Sequence, residues 1–127
     1  MRQDYEDKVM KHYTRVAQES GLSASCTMED EYIREGESRA ILRLIELAAK
    51  SAAASLRVLD VGCGNGYTLR TLAERIRDGG LSGSIELLGI EKNHELRQLA
   101  SKMNEGLPVT IAEGDILRAE TLAVSQA

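Results

Sequence analysis

A chain of 127 residues has room for one domain with a modest core. Apolar (43%) and charged (28%) fractions are those of an ordinary globular protein, and with four Tyr but no Phe or Trp the core has to come from Leu, Ile, Val, Ala and Met. A net charge of −4, with 16 basic residues scattered among 20 acidic ones, argues against a phosphate-backbone binder and leaves nucleic acid an unfavoured partner.

Asp4 to about Ser20 is predicted as a helix, with Tyr5, Val9, His12 or Tyr13, Val16 and Ala17 at helical spacing and Gly21 as its stop. Small and polar residues from Leu22 to Asp30 predict a loop. A second helix runs from about Ile33 or Glu35 to Lys50, with Ile41, Leu44, Ile45 and Ala48 as its expected buried stripe. The segment from Ser51 to Ser55 either extends that helix or links it onward. The texture then changes. Leu56–Val61 is a short apolar, β-branched run, and a helix follows with Leu69, Leu72, Ala73 and Ile76 on one face, closed by Gly79-Gly80. Ile85–Ile90 is a second strand ending in Glu91. Asn93 is a good N-cap for a helix whose stripe is Leu96, Leu99, Ala100 and Met103. Gly106 and Pro108 end it, and Val109–Ala112 starts a third strand. Strands alternating with helices over short connections call for parallel pairing and right-handed crossovers.

Cys26 and Cys63 stand far apart and in no C-x-x-C pair, so neither a disulfide scaffold nor a zinc site is expected. No apolar run reaches the ~18 residues of a membrane span, and Met1-Arg2-Gln3-Asp4 lacks a signal-peptide core. A cytoplasmic protein with no membrane partner is the expectation.

Three features fall at successive strand ends, where ligands of open α/β sheets bind. The first is Asp60-Val61-Gly62-Cys63-Gly64-Asn65-Gly66, whose glycines allow unusual backbone angles and close approach of a ligand, ahead of a helix N-terminus suited to an anion. A plain strand-to-helix turn would use glycines too. The 62/64/66 spacing is not the G-x-G-x-x-G of dinucleotide loops, because Tyr67 stands where that pattern has a third Gly or Ala. The second feature is Glu91, a carboxylate able to accept from both hydroxyls of a ribose, or a solvated strand-end charge. The third is Gly114-Asp115-Ile116, where an Asp can accept from an adenine amino group or simply cap the next segment.

Taken together, these residues resemble the class I S-adenosylmethionine-dependent methyltransferases. Val58–Tyr67 looks like their first motif, Leu88-Gly89-Ile90-Glu91-Lys92 like their second and Glu113-Gly114-Asp115-Ile116 like their third, so the likeness covers roughly Leu56 to Leu117. The resemblance implies a Rossmann-like three-layer α/β/α fold with a partial parallel sheet of strands one to three. Residues 1–55 would be a helical segment packing on that sheet, and 56–127 an incomplete cofactor-binding domain. It also implies that Gly62, Cys63, Gly64, Asn65 and Gly66 face the methionine part of S-adenosylmethionine and that Asp60 orients the loop. Glu91 would hold the ribose with Lys92 beside it, and Asp115 and Ile116 would contact the adenine. Met28–Glu37 resembles a segment that precedes the first strand in some of these enzymes. Arg34 there either pairs with the cofactor carboxylate, in bidentate fashion, or makes a surface pair with Glu37.

Tyr5 and Tyr13 are either part of a lid over the cofactor or half-buried residues docking the first helix, the second being the simpler expectation. His12 and His94 have no sequence partner that would make them bases, and Cys63 is expected to fill space rather than attack. The family's fourth motif has no match. No catalytic residue is therefore identified, and strand one is expected to be an open apolar edge. Truncation of a longer enzyme is the leading explanation; a dimer mate or a second chain covering that edge is the alternative. The implied activity is methyl transfer that leaves S-adenosylhomocysteine, with a small molecule the favoured acceptor. The rivals are a non-catalytic S-adenosylmethionine-binding module and a nicotinamide-dependent oxidoreductase, which the glycine spacing disfavours.

Overall fold

Amphipathic helices alternating with short apolar strands give, in a computed structural model that describes residues 2–21, 31–51, 55–81 and 85–117, the order α1 (Arg2–Ser20), α2 (Glu31–Ser51), β1 (Leu56–Val61), α3 (Tyr67–Asp78), β2 (Ile85–Glu91), α4 (His94–Met103) and β3 (Val109–Glu113). The predicted loop from Leu22 to Asp30 and Cys26 within it lie outside the described residues, as does most of the link after Ser51. Both early helices begin sooner than their apolar spacing indicates, at Arg2 and Glu31.

The strands form a three-stranded parallel sheet in the order β1-β2-β3, with Val58 opposite Leu87 and Leu87 opposite Val109. Period-two alternation sends Leu56 and Val58, Ile85 and Leu87, and Val109 and Ile111 to one face. There they meet Ile45 of α2, Leu69, Leu72, Ala73 and Ile76 of α3, and Ala100 of α4 in one core. The other face carries the Arg57–Glu86 ion pair (3.1 Å) and the exposed Leu59 and Val61 of β1. The described core is thus one helical layer against one sheet, a partial Rossmann-like α/β fold; the second helical layer of the expected three-layer arrangement is not among the described residues. Among the described residues β1 pairs with β2 alone, which leaves it at the sheet edge.

The inward faces of α3 and α4 are those the sequence spacing predicts, and Asn93 caps α4 by accepting from the Leu96 N–H at 3.0 Å. The face of α2 differs. Its inward positions are Arg34, Ser38, Ile41, Leu42, Ile45 and Ala49, whereas the expected Leu44 is 67% exposed and Ala48 points outward. The reason is that two of the buried positions are polar. A stripe drawn through apolar residues only is rotated away from the face that Arg34 and Ser38 define. The remaining helix, α1, packs on α4, setting Val16 and Ala17 against Leu96 and Leu99.

Candidate functional site

The chain leaves β1 through three left-handed glycines, Gly62 (φ 69°), Gly64 (φ 60°) and Gly66 (φ 78°), a conformation that residues with a Cβ adopt only at a cost. The Gly62 and Cys63 N–H groups donate to the Ile90 carbonyl at 2.8 and 3.1 Å, hooking the loop over the end of β2. One turn on, the Gly64 N–H donates to Glu91 Oε1 at 3.0 Å, while the Asn93 N–H donates to Glu91 Oε2 at 2.8 Å. The buried Glu91 carboxylate therefore ties the loop to the start of α4. Each of its oxygens keeps a further lone pair for a ligand hydroxyl.

The three glycines have different tasks. A Cβ on Gly62 would meet nothing within 4 Å, and Gly62 and Gly64 line a cavity of about 440 Å³ together with Glu91 and Lys92. A Cβ on Gly66 would come within 2.6 Å of Asn104 Nδ2 and 2.9 Å of Ala100 Cα, so Gly66 serves the close packing of the loop on α4. Cys63 and Asn65 are buried beside it. Burial, together with the charges of Asp60 and Glu91, pushes the Cys63 thiol up to about 12, so it stays protonated and packs in the core.

Behind the loop lie Asp60 and Arg34. Burial raises the Asp60 carboxyl above its ordinary value; the Arg34 guanidinium opposes that rise and the Glu91 charge adds to it. Arg34 is itself buried, with its guanidinium 5.2 Å from the centre of the Tyr67 ring, a cation–π contact. The surface Arg34–Glu37 pair is therefore not how Arg34 is used, because the helix face that carries it packs inward under Tyr67.

The end of β3 is looser. Asp115 Oδ2 lies 3.3 Å from Lys92 Nζ, and Asp115 Oδ1 accepts from the Leu117 N–H at 3.0 Å. Ile116 is exposed. Of the eleven site residues the sequence marks out, four thus line the cavity, Gly62, Gly64, Glu91 and Lys92. Asp115 joins them through Lys92, Asp60 is coupled to Glu91 by charge, and Arg34 acts on Asp60.

The far wall of the cavity comes from α1, through Tyr5, Glu6, Val9, Met10 and Tyr13. Tyr5 (70% exposed) consequently does not dock the helix, Tyr13 (40%) is more than half-buried, and Val16 and Ala17, lower on the same face, pack on α4. His12 and His94 are exposed and lie near Arg15 and Arg97 instead. What spacing alone misses is how α1 is held. Asn93 Nδ2 donates to Thr14 Oγ1 (2.9 Å) and to the Met10 carbonyl (3.3 Å), and Asn65 Nδ2 donates to the Gly21 carbonyl (3.0 Å). An Asn at an N-cap is the only local signal, and it points to capping.

No family model matches the chain, and no curated protein matches it. Solved structures do. A SAM-dependent methyltransferase of Leishmania major superposes with a TM-score of 0.50 at 16% identity, over 80% of this chain and 38% of that one. The plantazolicin methyltransferase BpumL, in complex with a pentazolic desmethylPZN analog and SAH, gives 0.45 at 16% identity over 87% and 44%. The same enzyme with SAH gives 0.41 at 18% identity over 88% and 44%. The chain thus spans less than half the length of these structures. The first likeness shows the fold alone, an α/β arrangement shared with that methyltransferase; the strand-end loop and Glu91 lie at the place where open α/β sheets bind ligands. Among the described residues no helix is long and apolar enough to cross a membrane.

Proposed function

We propose that this chain is the S-adenosylmethionine-binding part of a methyltransferase acting on a small-molecule acceptor in the reducing cytoplasm. One observation carries the reading: a left-handed glycine loop, fixed by a buried carboxylate from the neighbouring strand, opens onto a cavity at the carboxyl ends of a parallel sheet. The residues present fit the cofactor. Gly62 leaves room for the methionine part to lie against the backbone and Gly64 lines the same cavity, while Arg34 with the N-terminus of α3 supplies positive potential for its carboxylate. Glu91 offers the lone pairs for the ribose hydroxyls, and Asp115 with Ile116 would border the adenine. Tyr5, Val9, Met10 and Tyr13 give the cavity an apolar wall that suits an uncharged small acceptor better than a polyanion.

When bound, S-adenosylmethionine supplies an electrophilic methyl group on its sulfonium. The task of this chain is to bind, orient and exclude water, so that the acceptor nucleophile meets that methyl in line. No residue here is assigned as an acid or base. Calorimetric titration with S-adenosylhomocysteine tests the reading: micromolar binding, with none of NAD, is the expected result. Binding of NAD in its place would replace this function with a nicotinamide-dependent one.

A further inference from the structure

Asn93 reaches three elements at once. Its N–H donates to Glu91 at the end of β2, its Oδ1 accepts from Leu96 to cap α4, and its Nδ2 donates to Thr14 Oγ1 and the Met10 carbonyl of α1, with Met10 Sδ 2.9 Å away. Asp or Ser would cap α4 about as well. Capping therefore does not account for an amide here, whereas the donor end, aimed at α1, does.

The rest of α1 shows what that donor is for. The C-terminal part of the helix is anchored by Val16 and the buried Ala17 on α4, and Gly21 is held by Asn65. Its N-terminal half carries the cavity wall, yet Tyr5 is exposed and Val9 and Met10 are half-buried. Asn93 grips the helix between these two parts. The residue is 3% exposed, and a buried donor without its acceptor is costly, so the grip favours the closed position. We infer that Asn93 is a positioning residue for the cavity's ligand: it latches α1 across the opening and so sets how long the ligand stays. Because its N–H shares the Glu91 carboxylate with the glycine loop, the latch is built onto the group that faces the ligand. The identity of that ligand rests on the function proposed above; the latch itself does not.

The test uses Asn93→Asp and Asn93→Ser, which keep a capping oxygen and lose the amide donor that reaches α1, and Thr14→Val, which leaves Asn93 intact. Amide hydrogen exchange on the full chain should show α1 from Asp7 to Thr14 exchanging about tenfold faster in all three, with α4 unchanged. Stopped-flow binding of S-adenosylhomocysteine should show dissociation faster by about tenfold and association altered by less than about threefold, a split that general loosening would not give. Unchanged exchange of α1 in the two Asn93 variants overturns the proposal, and so does unchanged dissociation from a protein whose α1 has loosened. If the wild-type chain binds no S-adenosylhomocysteine, the cofactor reading fails, and exchange of α1 alone decides the latch: faster in the variants supports it, unchanged refutes it.

Discussion

The two ends of the site are built differently. Where β1 and β2 finish, every turn of the loop is held: Ile90 takes two N–H groups, Glu91 takes two more, and Gly66 lies packed against α4. Where β3 finishes, an exposed Ile116 follows an Asp115 whose ion-pair partner, Lys92, is itself partly in solvent. The sequence motifs at these places are equally recognisable. Their physical weight is not equal, because buried, desolvated hydrogen bonds are costly to lose and exposed charge pairs are not.

The largest expected effect comes from packing the built end too tightly. Gly66→Ala adds a left-handed strain of ~1–2 kcal/mol and an overpacking cost of ~1–3 kcal/mol, for a loss of about 3 kcal/mol in chemical denaturation. Gly106→Ala is the control, since Gly106 has the same hand (φ 80°) but nothing within 4 Å of its would-be Cβ. It should lose only the conformational part, ~1–2 kcal/mol. Equal losses at the two sites would mean that the packing of the loop on α4 contributes nothing.

Next comes Glu91 against Asp115. Glu91→Ala leaves the Gly64 and Asn93 N–H groups without their acceptor and removes the proposed ribose contact. Binding of S-adenosylhomocysteine should weaken by ~100-fold, the scale of a hydrogen bond to a charged group. Asp115→Ala should weaken it by about fivefold, because the group it removes is closer to solvent. Calorimetry on the pair decides; an equal loss would show that the β3 end carries as much of the affinity as the built end.

The built end also holds Asp60, and pH reads its burial. The pKa of Asp60 in the folded chain is raised, chiefly by burial. A raised carboxyl means that the native state binds more protons than the unfolded one between the two pKa values. The Asp60 contribution to stability is therefore most favourable below the ordinary carboxylate range. It declines as pH rises from there through the raised value. Thermal unfolding from pH 3 to 8 should show this decline as a difference between wild type and Asp60→Asn, whose other carboxylates are shared. A difference of the opposite slope would mean that Arg34 outweighs burial.

How much of this is legible in sequence follows from the range of each interaction. The strands, α3, α4 and the glycine loop are legible because alternation, helical spacing and glycines are local patterns, and Glu91 and Asp115 stand at strand ends that those patterns mark. The inward face of α2 is not, because Arg34 and Ser38 occupy it and an apolar count cannot see a buried arginine under Tyr67. Nor is the wall made by α1. Its tie runs from Asn93 to Thr14 and Met10, separations of 79 and 83 residues, and no spacing rule spans them. Tyr5 is read as a docking residue for the same reason: an aromatic at helical spacing looks like core until the helix is seen to stand over a cavity.

The smallest effect is expected at the open end itself. Lys92 and Asp115 lie 3.3 Å apart with side chains 45% and 18% exposed, so their attraction is screened by solvent and offset by the entropy of holding a lysine still. Lys92→Ala should change stability by less than ~0.5 kcal/mol. Its effect on binding is the sharper reading. Lys92 occupies Asp115 Oδ2, the class of acceptor that an adenine amino group would use. Removing it takes one competitor from that oxygen, so affinity for S-adenosylhomocysteine should hold or rise slightly by calorimetry. A loss of about tenfold would instead place Lys92 against the ligand, and the loose end of the site would then gain its own charged contact.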